Sequence, residues 1–497
     1  MGKAGRTHMR ISASISKEEI YVWKRLVMRK LFGTDGIRAV AGEPPLDRRT
    51  VRAVGVALAT KLKDEANGKP VHVVMGMDTR ESGPWIAATL AAGLRKAGAE
   101  VESAGVITTP AIAFLARKHG FSAGVVISAS HNPWRDNGIK IFGGDGYKLP
   151  DAVELGIEAE IERVLAEEQP AGLSTTAAKS AAFGRDDSDL ISGVGELPEV
   201  NESYRAEYIR FLLEAVPDIS LDNRRVVIDC ANGAASSVAP QLFESLRGTV
   251  EVTHASPDGR NINEGCGALH PEVVAAEVKA RHASMGFTFD GDADRALFAD
   301  EHGNVVNGDA VMLVCARDLQ ARGKLSDNLV VATTMSNMGL EAAFKRSGIR
   351  MLRAPVGDKY VLEEMRKSGA SLGGEQSGHI LFPAKATTGD GLLTALLVLD
   401  VVHRSGKKLG ELIADLKNYP QVILNVKVRE KKPLDTIPSV VTTIRAAEEE
   451  LKDSGRVVIR YSGTEALARV MIEAESEEAM RRHAEAIAGA IRAELGV

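Results

Sequence analysis

The chain has 497 residues, of which 44% are hydrophobic, 26% charged and only 4% aromatic, and its net charge is −5. That balance excludes a disordered chain and a basic nucleic-acid-binding surface, and the scarcity of aromatics argues against stacking platforms for single strands. Cys230, Cys266 and Cys315 are scattered and form neither a disulfide framework nor a zinc spacing, which suits a reducing cytoplasm, and no apolar run reaches the roughly 20 residues of a membrane span.

Residues 1–30 are basic but lack the apolar stretch of a secretory signal. Residues 17–30 are expected to form one short amphipathic helix. Beyond them one pattern recurs three times. Val71–Val74 forms a strand, Asp78–Gly83 a polar turn and Trp85–Lys96 a helix, and a second strand follows near Val101. The order returns as Arg225–Asp229, Cys230–Ala234, Val238–Leu246 and Thr249–Thr253. It returns again as Asn328–Ala332, Thr333–Gly339, Leu340–Arg346 and Ile349–Leu352. Each is a βαβ pattern, so three similar α/β domains with mixed sheets are expected. The remainder mixes strands (Val422–Val428, Arg456–Arg460, Leu467–Ala474) with helices (Ile437–Lys452, Glu477–Leu495), an α+β pattern. The expected division is an extension at 1–30, α/β domains at 31–200, 201–304 and 305–419, and an α+β domain at 420–497. The segment 168–200, rich in Gly, Ser, Ala and Asp, reads as a linker or surface insertion.

Five stretches carry chemistry. Gly124–Phe142 (GVVISASHNPWRDNGIKIF) starts as an apolar β-branched strand and stops at Ser128-Ala129-Ser130-His131-Asn132-Pro133. That puts a hydroxyl, Ser130, and an imidazole, His131, on a loop at a strand end, where open α/β sheets bind ligands. Asn137-Gly138 reads as a second turn, and Lys140 follows on a new apolar run. Phe287–Arg295 (FTFDGDADR) alternates Asp290, Asp292 and Asp294 after an apolar strand. Carboxylates so placed repel one another unless a cation lies among them, and short oxygen ligands suit a hard ion, Mg²⁺ or Ca²⁺. An EF-hand would need glycine where Arg295 stands, and Ala296–Phe298 reads as a continuing strand.

Gly373–His379 (GGEQSGH) alternates Glu375 and Ser377, a spacing suited to sugar hydroxyls, and His379 can move protons near neutral pH. Arg460–Arg469 holds Ser462, Gly463 and Thr464 between two guanidiniums, Arg460 and Arg469. Hydroxyls, a glycine turn and bidentate donors together suit a phosphate. Gly33–Arg38 (GTDGIR) brackets a polar turn with glycines and adds the charge of Arg38.

In this order FGTDGIR, SASHNP with NGIK, DGDADR, GEQSGH and RYSGTE resemble the motif set of the α-D-phosphohexomutases, over about residues 31–497. Within that family DCANGA (229–234), TTMSNMGLE (333–341), VGDKYVLE (356–363) and TTGDG (387–391) are most similar to the bacterial branch that acts on hexosamine phosphates. The resemblance implies four domains around a central cleft. It implies an isomerase-class phosphotransferase that interconverts a hexosamine 6-phosphate and its 1-phosphate. Ser130 would carry a phosphoryl group, and one Mg²⁺ per chain would be held by Asp290, Asp292, Asp294 and the group on Ser130. A hexose 1,6-bisphosphate would serve as intermediate and activator. Arg38, Lys140 and Arg295 would neutralise the transferring oxygens. Lys140, His131 and His379 all remain candidates for the acid–base group. Glu375 and Ser377 would recognise ring hydroxyls, while Arg460, Ser462, Gly463, Thr464 and Arg469 would hold the phosphate that is not reacting. The fourth domain is expected to close over the sugar. The implied partner is a phosphosugar, with neither nucleic acid nor membrane, in a cytoplasmic monomer or homodimer. Tyr461, Ala466 and Ala39 depart from residues common in relatives, which affects fine loop geometry and removes no reactive group.

Three other readings are weaker. A mutase for neutral sugars would use the same residues and differ only at the substituent on the sugar's second carbon. A haloacid-dehalogenase-type phosphatase would use Asp290 as nucleophile, but it wants Thr or Val where Asp294 stands. A phosphosugar-binding sensor would keep the scaffold without turnover, yet every reactive residue is present.

Overall fold

In the computed structural model of the chain, residues 31–33, 35–66, 68–168, 195–462 and 466–497 are described. The helix expected at 17–30 and most of the 168–200 segment lie outside them. The chain divides into two compact units, one running through 336 and adding 347–415, the other containing 337–346 and 416–497.

The first unit is built on three sheets. In the first, β1 (Ile37–Val40), β2 (His72–Met77), β3 (Glu100–Val106), β4 (Ala123–Ile127) and β5 (Asp136–Gly143) lie in the order β1-β5-β4-β2-β3. Helices α1 (Arg48–Ala66), α2 (Gly83–Lys96), α3 (Thr109–His119) and α4 (Asp151–Glu167) join or follow these strands. After α5 (Ser203–Glu214) the second sheet takes β6 (Arg225–Asp229), β7 (Thr249–Thr253), β8 (Met285–Phe289), β9 (Ala296–Ala299) and β10 (Val305–Val306) in the order β10-β9-β8-β6-β7. Its helices are α6 (Ala239–Glu244) and α7 (Pro271–Arg281). The third sheet follows α8 (Gly308–Ala321). Its strands β11 (Leu329–Thr333), β12 (Arg350–Ala354), β13 (Leu372–Gly374) and β14 (Ile380–Leu381) lie in the order β12-β11-β13-β14. Helices α9 (Met338–Arg346), α10 (Asp358–Ser368), α11 (Gly391–Ser405) and α12 (Leu409–Leu412) complete this stretch of chain.

The three sheets share one plan. A βαβ pair is joined by a third parallel strand, and that strand turns back into an antiparallel one. The third strands are β4, β8 and β13, each buried along its whole length. Strands buried on both faces are continuous apolar runs, and the chain can expose polar groups only where such a run ends. The loops at those ends hold Ser130, the three aspartates 290, 292 and 294, and Glu375 with His379. Triplication therefore puts three of the sequence motifs at one topological position.

Asn137 and Gly138 differ from expectation, because they lie inside β5 and not in a turn. Asn137 is fully buried and donates to Ser82 Oγ at 2.8 Å. A side chain on Gly138 would come within 2.6 Å of the Ser128 carbonyl, so this glycine serves close backbone approach. The turn lies just upstream, closed by Asp136 N–H donating to Pro133 O at 3.1 Å.

The second unit is a three-stranded antiparallel sheet, β15 (Gln421–Lys427), β16 (Gly455–Tyr461) and β17 (Leu467–Ala474), in the order β15-β17-β16. Helices α13 (Pro438–Leu451) and α14 (Glu477–Leu495) bury Val440, Ile444, Ile487 and Ile491 against Val470 and Ile472. Helix α9 belongs to this unit. Met338 N–H donates to Glu473 Oε1 at 3.1 Å, and Asn337 exchanges hydrogen bonds with the Tyr419 backbone at 2.8 and 3.0 Å. No described helix is long and apolar enough to cross a membrane.

Candidate active site

Ser130 is the third residue past the end of β4, is 1% exposed and has φ +54. A serine in the left-handed region persists only where its surroundings hold it there. Here the support is a buried network. Ser130 N–H donates to Ser128 Oγ at 2.9 Å, and Ser128 Oγ donates to Asp78 Oδ2 at 2.5 Å. Asp78 pairs with Arg80, whose Nη2 donates to the carbonyls of Ser130 (3.0 Å) and Asn132 (2.6 Å). Asn263, from the second sheet's connections, donates to the same two carbonyls at 3.0 and 3.2 Å. Two donors from different sheets thus pin one loop.

The Arg80 and Asp78 side chains are both fully buried. Arg80→Ala is expected to cost about 3–5 kcal/mol in chemical denaturation, because it strands a buried carboxylate. A loss below about 1 kcal/mol, the range of ordinary surface changes, would mean that Arg80 is not the brace of this loop.

The aspartate loop meets Ser130. Asp290 and Asp292 are fully buried and Asp294 is 4% exposed, and one oxygen from each lies within 4.8 Å of the others. Ser130 Oγ donates to Asp290 Oδ2. A side chain on Gly291 would come within 2.5 Å of the Ser130 carbonyl, so only glycine lets the two loops approach this closely. Thr109, at the start of α3, donates to Asp292 through Oγ1 (2.5 Å) and through its N–H (3.0 Å, to the carbonyl).

These residues fit a metal ion. Asp292 Oδ1 is buried without a hydrogen-bond partner among the described residues. Burial first, then the charges of Asp294 and Asp292, push the Asp290 carboxyl well above its usual range. A hard cation among the three would relieve both. Asp229, His254 and Cys266 form a second group with atoms within 4.8 Å. There, however, Asp229 already accepts from Ala231 N–H (2.9 Å), Gly267 N–H (2.9 Å) and Thr288 Oγ1 (3.2 Å), which makes it a carboxylate that shapes the loop after β6.

A ring of alternating charges surrounds the aspartates. Lys140 Nζ lies 2.7 Å from Asp292, 3.4 Å from Asp294 and 3.0 Å from Asp35. Lys148 Nζ bridges Asp35 (2.6 Å) and Asp358 (2.7 Å). His379 closes the ring between Asp358 (Nε2, 3.4 Å) and Asp294 (Nδ1, 3.5 Å). Asp35 also pairs with Arg38. Burial works against the Lys140 ammonium, but Asp292, Asp35 and Asp294 outweigh it and raise its pKa, so Lys140 stays charged.

The two site histidines are tuned in opposite directions. Burial, then Arg295 and Arg38, push His131 down to about 4, so it is neutral at pH 7. Its Nδ1 lies 3.4 Å from Ser130 Oγ and 3.2 Å from Arg295 Nη1. Burial also pushes His379 down, but Asp294 and Asp358 outweigh it and raise the imidazole to about 9. Glu375 accepts from Ser377 Oγ at 3.1 Å and from Gly357 N–H at 3.0 Å, next to Asp358.

The sequence-predicted residues therefore fall into two groups. Ser130, His131, Lys140, Asp290, Asp292, Asp294, Arg295 and His379 are linked by the contacts above, Arg38 joins through Asp35, and Glu375 and Ser377 form their own pair. Arg460, Ser462 and Arg469 belong to the other unit. There Arg460 and Arg469 stand directly opposite each other on β16 and β17, and Lys431 Nζ donates to the Ser462 carbonyl at 2.7 Å. Like charges facing across a ladder are destabilising, and a bridging anion would offset that. Gly463 and Thr464 lie outside the described residues.

Sequence reasoning assigned no role to Asp35, Asp78, Arg80, Thr109, Lys148, Asn263 or Asp358. Asp78 and Arg80 stood in a polar turn after a βαβ strand, the position at which ligand loops form, and that was the one available signal for them.

Four family models match the chain: phosphoglucomutase/phosphomannomutase α/β/α domain I over residues 29–168, domain II over 206–303, domain III over 307–419 and the C-terminal domain over 423–490. The chain is 58% identical to a phosphoglucosamine mutase of Koribacter versatilis, over 95% of this chain and 98% of that protein. It is 51% identical to a phosphoglucosamine mutase of Solibacter usitatus, over 94% and 99%. Among solved structures, a phosphoglucomutase/phosphomannomutase family protein of Burkholderia thailandensis superposes with a TM-score of 0.71 at 24% identity, covering 93% of this chain and 99% of that one.

Proposed function

Since the chain belongs to the phosphoglucomutase/phosphomannomutase family, we propose that it interconverts glucosamine 6-phosphate and glucosamine 1-phosphate through a phosphoserine at Ser130 and a 1,6-bisphosphate intermediate. The observation that carries this reading is Ser130 Oγ donating into the three-aspartate loop from a buried, braced position. The names of the curated relatives support the amino sugar.

In the first half-reaction the bond from phosphorus to Ser130 Oγ breaks, and phosphorus bonds to the free hydroxyl of the bound sugar phosphate. That hydroxyl's proton must go to a nearby base, and the departing Ser130 Oγ must take one up from it, so that the half-reaction ends with a neutral serine hydroxyl and an unprotonated base. His131 is the fitting acceptor. It is neutral at pH 7, its Nδ1 lies 3.4 Å from Ser130 Oγ, and burial and then the neighbouring guanidiniums hold its pKa down. Lys140 and His379 stay protonated and serve as positive charges beside the transferring oxygens, together with Arg38 and Arg295. In the second half-reaction the intermediate, having turned around, returns its other phosphoryl group to Ser130. Glu375 and Ser377 recognise ring hydroxyls in both orientations, and Arg460, Ser462, Gly463, Thr464 and Arg469 hold the phosphate that is not reacting.

Asp290, Asp292 and Asp294, with an oxygen of the group on Ser130, would hold the metal, which on this reading is Mg²⁺. When bound it neutralises charge on the transferring oxygens. The three cysteines are free and buried, which supports a cytoplasmic setting. The test is kcat/KM on glucosamine 6-phosphate, glucose 6-phosphate and mannose 6-phosphate, each with Mg²⁺ and a trace of the matching bisphosphate. A preference of at least about tenfold, or roughly 1.4 kcal/mol, for the amino sugar is expected. Equal use of a neutral sugar would move the chain to the neutral-sugar branch.

A further inference from the structure

A cavity of about 270 Å³ opens between α3, α5 and the loop before α11. It is graded from rim to floor. Arg117, Lys118 and Lys385 stand at the exposed rim. Phe114 and Phe211, stacked at 4.5 Å, form a half-buried wall. Thr387, Thr388 and Asp390, 5%, 4% and 2% exposed, form the floor.

The cations at the rim are only partly matched. Lys118 pairs with Glu207 at 2.7 Å. Arg117 has no ion pair among the described residues. Lys385 donates to the Ala215 carbonyl at 3.1 Å, and burial, with the nearby charge of Arg322 after it, pushes its ammonium down. At the floor neither threonine hydroxyl has a hydrogen-bond partner among the described residues. Both oxygens reach the space of the cavity, where they can bond water or a ligand's polar groups. Asp390 accepts from Tyr208 Oη (2.8 Å) and Leu393 N–H (2.9 Å) and keeps lone pairs to spare.

A ligand that satisfies all three levels has an anionic end, a flat apolar ring and hydroxyls. Phe114 and Phe211 already stack on each other, with Lys118 Nζ 5.3 Å from the Phe114 ring centre, so a bare sugar phosphate would leave only their cavity-facing apolar surface uncovered, and an aromatic acid would leave the hydroxyl floor unpaired. The cavity also backs directly onto the catalytic loops. Pro110 on its wall is adjacent to Thr109, which holds Asp292. Gly389, between Thr388 and Asp390, packs so closely on His379 that a side chain there would lie 2.3 Å from Nε2.

We propose that this cavity binds a nucleoside phosphate, with its phosphate on Arg117 and Lys385, its base along Phe114 and Phe211, and its ribose hydroxyls on Thr387, Thr388 and Asp390. None of these residues belongs to the set assigned to the sugar phosphate, so both ligands bind at once. The test is calorimetric titration of the full Mg²⁺-loaded chain with ADP, with and without saturating glucosamine 6-phosphate. One ADP per chain is expected in both conditions. Loss of two charge-assisted contacts in Arg117→Ala/Lys385→Ala should weaken ADP at least about tenfold. Ala386→Trp, which fills the cavity, should abolish binding. Both variants alter side chains at or near the surface, and their turnover without ADP should stay within about twofold of the parent. Adenosine and inorganic pyrophosphate should each bind at least about tenfold more weakly than ADP, each lacking half of the contacts. The proposal is overturned if ADP does not bind, if both variants bind it unchanged, if saturating sugar phosphate displaces it, or if pyrophosphate alone binds as tightly.

Discussion

Ser130→Ala is expected to reduce mutase turnover by at least about ten-thousand-fold, the scale seen when a nucleophile is deleted from an otherwise intact site. No neighbour can substitute. Ser128, the other hydroxyl of the loop, accepts from Ser130 N–H and donates to Asp78, so it is committed to holding the backbone. His131 keeps its contact with Arg295 at 3.2 Å, but without an oxygen to carry the phosphoryl group it has nothing to serve. The braces from Arg80 and Asn263 grip carbonyl oxygens and not the Ser130 side chain, so the variant should fold like the parent. Steady-state turnover with bisphosphate present, together with the intact mass of the purified chain, checks both points. The parent should carry a phosphoryl group and the variant none. If Ser130→Ala kept a tenth of the activity or more, the nucleophile would lie elsewhere, and Asp290 would become the leading candidate.

Removal of the metal is the second large effect. Chelation with EDTA should lower turnover by about a thousand-fold or more, since neutralising the charge of a transferring group is worth several kcal/mol, and Mg²⁺ should restore it. The electrostatics add a pH signature. Burial and two like charges hold the Asp290 carboxyl well above its ordinary 3.8 in the metal-free fold. A raised carboxyl favours folding while it is protonated, at low pH. That contribution is lost as pH climbs past the unfolded value. A cation reverses the balance, because it binds the ionised form and must displace the proton. The gain in Tm on adding Mg²⁺ should therefore grow as the pH is raised above the ordinary carboxylate value. A gain that is flat or falls with pH would mean that the aspartate loop does not hold the ion. Asp292→Asn should shrink the gain when each chain is compared with its own metal-free Tm, a comparison that is needed because the substitution also takes the nearest carboxylate from buried Lys140.

Much of the architecture was legible from local signals. The three βαβ patterns, the strand Ala296–Ala299 that argued against an EF-hand and the long C-terminal helix Glu477–Leu495 are all present. Alternating periods and buried apolar runs suffice for these, because each is decided by a few neighbouring side chains. Asn137-Gly138 shows the limit of such signals. The dipeptide is a strong turn signal in isolation, but here packing against Ser82 and the Ser128 carbonyl holds it in a strand.

The candidate site divides along the same line. The sequence by itself determined which chemical groups are available: a serine at a strand end, three alternating aspartates, a Glu-x-Ser-Gly-His loop and an arginine-flanked hydroxyl turn. Those depend on residue type and spacing, which are properties of contiguous chain. Only the tertiary structure decided what those groups do to one another. Lys140 meets Asp292 across 152 positions of sequence, and Asn263 meets Ser130 across 133. His131 and His379 are one residue type, yet they are driven to about 4 and about 9. The first faces two guanidiniums and the second two carboxylates. Coulomb energy depends on distance in space and on burial, and neither exists until the three sheets have packed.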